Sequence, residues 1–331
     1  MKPPFLAAAV QAVPAFLDLD AAIAKTVALI EQAGARGVRL LAFPEAWIPG
    51  YPFWIWSVSP LEAISLSRLY HEASVAAGSK PLARICEAAR CNGVHVVLGL
   101  SERDHSSLYL GQTIIGADGC IIAQRRKLRP THVERTVFGD GDGSDLAVHD
   151  TPVGRLGALN CWEHLQPLVR AAMFAQHEEV HVAGWPSLAA GASGNPAYAL
   201  GRQVNLAASQ VYAAEGGCYV LAATQVVDES VLRVQAQHLG RDVPFPLGGG
   251  CSMIYGPDGR ALADFLPEDA EGLVVAEIDL GTIAFAKALA DPVGHYARPD
   301  ALRLIHDRTR WRAPPPDDAD SHAPGAKELS A

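Results

Sequence analysis

The chain has 331 residues, of which 49% are hydrophobic and 19% are charged, so it has enough apolar surface to bury a large core. Its formal net charge of -9 argues against binding to nucleic-acid backbones, which requires a basic face. Six cysteines are too few for a disulfide scaffold in a chain of this length. No apolar run is long enough to span a bilayer, so we expect no membrane partner. Because the cysteines do not suit a disulfide scaffold, we expect reduced thiols and a cytoplasmic location.

The first ten residues carry an alternative to a folded beginning. Lys2 followed by the apolar run 5–10 is similar to the core of a secretory signal peptide. Gln11 interrupts that run and Pro14 ends it. The sequence therefore favours a buried first strand over a signal peptide.

Apolar runs of strand length alternate with segments of helical period along most of the chain, and this alternation is typical of an α/β fold. Turn residues at Asp118-Gly119 and around 152–154 predict two antiparallel hairpins. Strands are predicted at 5–13, 38–43, 94–100, 108–115, 121–124, 146–149, 156–159, 180–183, 219–223, 252–255 and 272–278. Helices are predicted at 19–35, 60–76, 80–91, 164–176 and 198–214.

The domain organisation follows from where linkers are missing. The length alone allows two domains, but no linker composition occurs before residue 310. Beyond Pro314 the chain is rich in Pro, Asp, Ser and Gly, a composition typical of a mobile tail. We therefore expect one catalytic domain over 1–310 and a C-terminal tail over 311–331, with no structural assignment for 226–247.

Three reactive side chains follow predicted strands. Glu45, Lys127 and Cys161 each come just after a strand, and sites in α/β sheets form at the carboxyl ends of strands. A helix starting at Cys161 is expected to lower the thiol pKa and favour a thiolate nucleophile. Placement alone leaves two alternatives to a catalytic role: Glu45 and Lys127 could be exposed surface residues, and Cys161 could be a buried structural residue.

Four stretches decide between these interpretations by resemblance. Phe43-Pro44-Glu45, the run 126–135 containing Lys127 and Glu134, the run 157–164 around Cys161, and the run 291–300 resemble the signature regions of the nitrilase family. The similarity extends from about residue 5 to 305. The four stretches occur in the order that the family has, which makes the resemblance specific.

The resemblance implies a site and a fold. Glu45 is implied as general base and acid, Lys127 as the charge-stabilising residue, Cys161 as nucleophile and Glu134 as the residue that positions substrate and lysine. The implied fold is an αββα sandwich that pairs into a four-layer αββα-αββα dimer. Larger homo-oligomers, including spirals, belong to the same expectation. No metal ion or organic cofactor is implied.

The residues after Cys161 indicate a branch of the family. Cys161-Trp162-Glu163 resembles members that hydrolyse nitriles to a carboxylic acid and ammonia, most closely arylacetonitrilases and aliphatic nitrilases. An amidase or carbamoylase, a cyanide-hydrolysing enzyme and an inactive scaffold remain alternatives. Trp162, Trp185 and Tyr51 are candidate substrate-binding residues, with core or interface packing as the alternative.

Two other motifs suggest metal binding. His177, Glu178 and His181 form an H-E-x-x-H pattern, which serves zinc hydrolases when both histidines share one helix face. Because 180–183 reads as a strand, this zinc hypothesis is disfavoured. The acidic run 140–145 is similar to a calcium loop, but it lacks the glycine and glutamate that an EF-hand needs, so a solvated loop is expected instead.

Overall fold

The structure is a computed structural model that describes residues 2–189 and 198–311. The strands are β1 (Phe5–Ala12), β2 (Val38–Ala42), β3 (Val75–Ala76), β4 (His95–Asp104), β5 (Ser107–Ile115), β6 (Ile121–Arg126), β7 (His149–Thr151), β8 (Gly154–Asn160), β9 (Val180–Trp185), β10 (Tyr219–Gln225), β11 (Met253–Tyr255) and β12 (Gly272–Ile278). The α-helices are α1 (Leu19–Ala35), α2 (Ile64–Ala73), α3 (Lys80–Asn92), α4 (Pro167–Phe174), α5 (Arg202–Gly216), α6 (Glu229–Leu239) and α7 (Ile283–Leu289).

The strands form two sheets that join at one corner. The first has the order β12-β1-β2-β4-β5-β6, with the short β3 also paired to β4, and the second has the order β11-β10-β9-β8-β7. They are connected by a short parallel pairing of β1 with β10, at Gln11 with Thr224 and Ala12 with Gln225. Because this connection is only two residue pairs long, the two sheets can lie face to face, with residues of both in one core.

Alternate residues of β1 show the layers. Ala7 and Ala9 pack in a core with Leu156 and Val182 of the second sheet. Ala8 lies in a separate core with the inner faces of α1 and α3. A third core joins the outer face of the second sheet to α4 and α5. Since each strand buries both faces, the order is helix, sheet, sheet, helix, and the predicted αββα sandwich is confirmed.

Two predicted helices are interrupted by residues that cannot continue them. The segment predicted as one helix over 164–176 is a 3₁₀ helix, Cys161–Leu165, followed by α4. Pro167 has no N–H for the helical ladder and holds Gln166 in an extended conformation, so the helix restarts there. The segment 198–214 likewise divides into a 3₁₀ turn, Tyr198–Leu200, and α5, with extended Gly201 between them.

The strand predicted over 146–149 is wrong. Asp142 caps a 3₁₀ helix, Gly143–Asp145, which delays strand pairing until His149 of β7 meets Leu156. The expectation of a solvated acidic loop is also wrong, because Asp142 and Asp145 are both buried. Their carboxylates cap the turn, each accepting a backbone N–H.

The segment 226–247, which had no assignment, contains α6. Asp228 caps this helix by accepting the N–H groups of Ser230 and Val231, and left-handed Gly240 ends it. None of the helices in 2–189 and 198–311 is long and apolar enough to cross a membrane. The tail predicted over 311–331 falls, apart from Trp311, outside the described residues.

Candidate active site

The predicted catalytic residues lie at one edge of the sandwich. The strands β2 and β8 have parallel neighbours, and β6 runs in the same sense as β4 because β5 is antiparallel to both, so the carboxyl ends of the three strands meet there. Glu45, Lys127 and Cys161 follow these three strands. A Cβ on Gly184 would lie 2.8 Å from Asn160 Oδ1 and 3.1 Å from the Glu45 nitrogen, so glycine lets the loops of both sheets approach closely.

Lys127 joins two carboxylates in this cluster. Its Nζ donates to Glu45 Oε1 at 2.9 Å and to Glu134 Oε2 at 2.8 Å, and all three side chains are buried. Cys161 Sγ and one carboxylate oxygen from each glutamate lie within 4.8 Å of one another. Although burial opposes its charge, the carboxylates of Glu134 and Glu45 raise the pKa of Lys127 well above its usual value. The lysine is therefore a fixed cation at the nucleophile.

Glu134 is held by donors on both oxygens. Oε1 accepts from the Tyr51 hydroxyl at 2.9 Å, and Oε2 accepts from the Thr131 N–H at 2.6 Å as well as from Lys127. Glu134 forms no surface ion pair with its neighbour Arg135, which donates to the His132 carbonyl instead. With a donor on each oxygen, Glu134 is suited to holding the lysine rather than to moving protons.

The two carboxylate oxygens of Glu45 differ in their hydrogen bonding. Its Oε1 accepts from Lys127, while Oε2 is buried and has no hydrogen-bond partner among residues 2–189 and 198–311. Burial, partly opposed by Lys127, raises the pKa of Glu45 to about 8. A carboxyl with a pKa near neutrality and a vacant oxygen is suited to taking a proton and returning it.

Cys161 adopts an uncommon backbone conformation directly after β8. Its φ of 47° lies in the left-handed region, which costs a residue with a side chain about 1 kcal/mol or more. The Trp162 backbone N–H favours the thiolate form of Cys161 and so acts to lower its pKa. The Cys161 carbonyl accepts from His164 Nδ1 at 2.6 Å. The strained turn presents the thiol to Glu45, Lys127 and Glu134.

The expected lowering of the Cys161 pKa is wrong for the resting site. Burial and the Glu45 carboxylate raise the pKa of the thiol well above its usual value, outweighing Lys127 and the Trp162 N–H. Only a single 3₁₀ turn, Cys161–Leu165, starts at the cysteine, so little helix dipole is available. A thiol in this state would need a nearby base to take its proton before its sulfur could react.

A salt bridge that the sequence did not reveal ties the lysine and cysteine loops together. Arg125 Nη2 lies 2.7 Å from Glu163 Oε1, and both side chains are buried. Glu163 also accepts the N–H groups of Asn160 and Leu128. Burial alone would raise the Glu163 pKa, but Arg125 holds it below its usual value. In the sequence, Arg125 belongs to a run of three basic residues, 125–127, which is typical of an exposed surface. Only its contact with Glu163 identifies its role.

A cavity opens over Cys161 and Glu134. Much of its wall is aromatic, and the ring centroids of Phe53 and Phe245 are 4.7 Å apart. Tyr51 and Trp162, two of the candidate substrate-binding residues, belong to the lining. The aromatic members are Tyr51, Phe53, Trp56, Trp162 and Phe245.

Trp185, the third candidate, packs away from this cavity. It is buried, its Nε1 donates to Ser209 Oγ at 3.0 Å, and its ring stacks on His164 at a centroid distance of 5.0 Å. The structure therefore gives Trp185 the packing role that was its alternative.

The H-E-x-x-H residues do not adopt the helical geometry of a zinc site. His177 is exposed in the turn before β9, whereas His181 lies in β9 and is buried. Its Nδ1 is 2.7 Å from Glu178 Oε1. A strand with period two does not place the two histidines on a shared helix face, so the zinc hypothesis fails on geometry.

Comparisons with known proteins agree with this site. Residues 6–288 match the profile of the carbon-nitrogen hydrolase family. A nitrilase of Pseudomonas syringae pv. syringae is 50% identical over 305 residues, which cover 92% of this chain and 90% of the relative. An arylacetone-specific nitrilase of Alcaligenes faecalis is 48% identical, covering 91% of this chain and 84% of the relative. An aliphatic nitrilase of Rhodococcus rhodochrous is also 48% identical, covering 91% and 82%.

The fold agrees as well. The crystal structure of a carbon-nitrogen hydrolase from Helicobacter pylori superposes with a TM-score of 0.71 over 92% of this chain and all of that one, at 20% identity. The profile match covers most of the chain, and the relatives exceed 40% identity. This chain therefore belongs to the carbon-nitrogen hydrolase family.

Proposed function

We propose that this protein is a nitrilase that converts an organic nitrile and two waters into a carboxylic acid and ammonia. The observation that carries the proposal is the cluster of Cys161, Lys127 and a Glu45 with one vacant oxygen, beneath a cavity with aromatic walls. The close relatives named as nitrilases support the same chemistry.

The first half-reaction forms a covalent bond to Cys161. Glu45, as carboxylate, takes the thiol proton while the sulfur attacks the nitrile carbon. The nitrile nitrogen then takes the proton back from Glu45, which gives a thioimidate. Proton exchange through one carboxyl suits a thiol whose pKa is raised, because no free thiolate has to accumulate.

The second half-reaction consumes two waters. Glu45 removes a proton from the first water as it adds to the thioimidate, and Lys127 stabilises the negative charge that develops on the tetrahedral intermediate. Glu45 returns this proton to the nitrogen and then transfers the hydroxyl proton of the intermediate to it, so that the carbon–nitrogen bond breaks, ammonia leaves and a thioester remains. The second water hydrolyses the thioester to the acid and restores the thiol. Expulsion of the thiol from the tetrahedral intermediate would instead release an amide.

Arylacetonitriles are the substrates that we propose first. Phe53 and Phe245 offer ring faces to an aryl group, and Tyr51 and Trp162 adjoin the nucleophile in the same lining. Aliphatic nitriles come second, because the relatives at 48% identity include both an arylacetone-specific and an aliphatic nitrilase. Ammonia release from phenylacetonitrile, mandelonitrile, benzonitrile, an aliphatic dinitrile and cyanide ranks these classes.

An amidase is the second candidate function, because an amide carbonyl can be attacked by the same Cys161, Glu45 and Lys127. Phenylacetamide, assayed beside phenylacetonitrile, separates the two. Hydrolysis of the amide alone would refute the nitrilase proposal, and hydrolysis of cyanide alone would replace it.

Cys161→Ala tests the nucleophile. We expect kcat to fall by more than about a thousandfold, because no covalent intermediate can form. Cys86→Ala, on helix α3 in the opposite outer layer, is the matched control and should leave kcat unchanged. Mass spectrometry of the parent with a slow nitrile should find the adduct on the peptide that contains Cys161. An adduct on any other cysteine would contradict the proposal.

We further propose the assembly and location that the family resemblance implied. Residues 1–310 form the catalytic domain, which pairs into a four-layer αββα-αββα dimer or a larger homo-oligomer, including a spiral. The six cysteines are free thiols, which supports a reducing cytoplasmic location. Light scattering of the purified protein tests the assembly, and a monomer at working concentration would contradict it.

A further inference from the structure

A buried chain of hydrogen bonds leads away from the Cys161 carbonyl. The Cys161 carbonyl lies 2.6 Å from His164 Nδ1, and His164 Nε2 lies 2.9 Å from His181 Nε2. His181 Nδ1 lies 2.7 Å from Glu178 Oε1, and the Tyr212 hydroxyl donates to Glu178 Oε2 at 2.6 Å. The four side chains are buried, and none takes part in the mechanism above.

The carbonyl end fixes the direction of every proton in this chain. A carbonyl oxygen only accepts, so His164 carries a proton on Nδ1. Neutral His164 then accepts at Nε2, and His181 must donate from its own Nε2. In a neutral His181, Nδ1 is left as an acceptor, which Glu178 satisfies only as a neutral carboxylic acid.

The environment of these groups favours the neutral forms. Burial raises the pKa of Glu178 to about 8 and, together with the neighbouring His181, lowers the pKa of His164 to about 3. Burial also lowers the pKa of His181 well below its usual value. Trp185 stacks on His164, and Tyr212 packs against His181 at a centroid distance of 4.0 Å.

The chain ends on the peptide unit that contacts the reacting sulfur. That unit joins Cys161 to Trp162: its carbonyl is held by His164, and its N–H acts to lower the pKa of the Cys161 thiol. Because a peptide is planar, holding the carbonyl also fixes the direction of the N–H. Since Cys161 has a φ of 47°, this orientation needs support from outside the turn.

We propose that Glu178 and His181 are positioning residues for the nucleophile, acting as a neutral acid and a neutral imidazole that lock His164 in the tautomer that holds the Cys161–Trp162 peptide. The proposal rests on the proposed role of Cys161 as nucleophile. It assigns a function to the H-E-x-x-H motif, whose second and last residues are Glu178 and His181 and whose first residue, His177, is exposed.

The sheet is built to admit this carboxyl group. Gly157 in β8 pairs with His181 in β9, and a Cβ on Gly157 would lie 1.9 Å from Glu178 Oε1. Any other residue at 157 would displace the acid from His181. Glycine at this position is thus an independent sign that the space belongs to Glu178.

Two substitutions at one position test the neutral acid. In Glu178→Gln, the amide nitrogen can donate to His181 Nδ1 and the amide oxygen can accept from Tyr212, so both hydrogen bonds persist. We expect this variant to keep kcat within about threefold of the parent, whereas Glu178→Leu loses at least about tenfold, as small errors in positioning do. The rate of Cys161 alkylation by iodoacetamide, measured on its own peptide, should follow the same order.

A matched control removes a buried hydrogen bond elsewhere. Thr26 on α1 accepts from Trp47 Nε1 at 2.8 Å, and Thr26→Val should lower the thermal unfolding midpoint without changing kcat. Equal losses of kcat in Glu178→Gln and Glu178→Leu would overturn the neutral acid. Unchanged kcat in Glu178→Leu would overturn the positioning role.

A spectroscopic test needs no variant of Glu178. In parent protein labelled with ¹⁵N-histidine, long-range ¹H–¹⁵N correlations should show His164 protonated only on Nδ1 and His181 only on Nε2. His164→Gln and His181→Gln assign the signals. A cationic His181, or a proton on His164 Nε2, would overturn the proposal. Since this readout needs no turnover, failure of the proposed nitrile hydrolysis is distinguishable from failure of the positioning chain.

Discussion

Two buried glutamates, Glu45 and Glu178, differ in what their oxygens contact. Burial raises the pKa of both Glu45 and Glu178 to about 8. Glu45 shares one oxygen with the Lys127 cation and has no partner for the other among the described residues. Both oxygens of Glu178 contact neutral partners, His181 and Tyr212.

The comparison shows that a perturbed pKa does not by itself identify a general base. Glu178 has the same raised pKa as Glu45, but both of its oxygens have hydrogen-bond partners, His181 and Tyr212. Glu45 combines the raised pKa with a vacant oxygen next to the thiol. Proton transfer to a substrate requires a carboxylate oxygen that no other group already occupies with a hydrogen bond.

The largest expected effect comes from making one substitution at both glutamates. Glu45→Gln cannot take the proton of Cys161, so we expect kcat to fall by about a thousandfold or more. Glu178→Gln keeps both of its hydrogen bonds and should stay close to the parent. Steady-state ammonia release from phenylacetonitrile measures both. Similar losses in the two variants would mean that the two carboxyl groups do not differ in role.

Removing the cation between the carboxylates should have the next largest effect. Lys127→Met leaves Glu45 and Glu134 buried without their counter-charge, and we expect a loss of about 3–5 kcal/mol in the free energy of unfolding. Activity should fall by about a hundredfold or more, because no charge stabilises the tetrahedral intermediate.

A double variant separates those two consequences. Lys127→Met with Glu134→Gln removes one positive and one negative charge, so part of the lost stability should return. Activity should not return, since the cation is still missing. Recovery of kcat in the double variant would contradict the role of Lys127.

The pH dependence gives a smaller and more specific test. Burial raises the Glu45 pKa to about 8, and Glu45 must be ionised to accept the thiol proton. We therefore expect kcat/KM to fall as pH decreases below about 8 and to level off above it. The charge of Glu134 contributes to the raised pKa, so Glu134→Gln should move this limb to lower pH. A limb that stays in place or moves to higher pH would contradict the electrostatic coupling.

The sequence predicted the fold and the cluster of Glu45, Lys127 and Cys161, and physical reasons explain why. Strand-length apolar runs marked the strands, and the motifs around Glu45, Lys127 and Cys161 follow strand ends. The break before Pro167 was not predicted, but the sequence contains the signal for it, because proline lacks the N–H that a helix needs.

The remaining features depend on contacts between distant residues. Arg125 and Glu163 are 38 positions apart, so the basic run gave no sign of its buried partner. The raised pKa of Cys161 arises from burial and from Glu45, neither of which local sequence encodes. His181 and Glu178 resembled zinc ligands by spacing, and only the strand geometry and His164 show what they contact.

The smallest expected effect concerns the cavity wall, which should tolerate change better than either glutamate. Phe245 packs on Phe53 at 4.7 Å, so Phe245→Ala removes one ring from the proposed aryl site. An aromatic contact contributes about 0.5–1.5 kcal/mol, which predicts an increase of about three- to tenfold in KM for phenylacetonitrile. The KM for a short aliphatic nitrile should change by less than about twofold, because such a substrate has no ring to stack on the wall. Phe53→Ala should raise the KM for phenylacetonitrile by a similar factor. The double variant should raise it little further, since the two rings form one surface. Equal changes in KM for both nitriles would show that the wall shapes the cavity without recognising an aryl group.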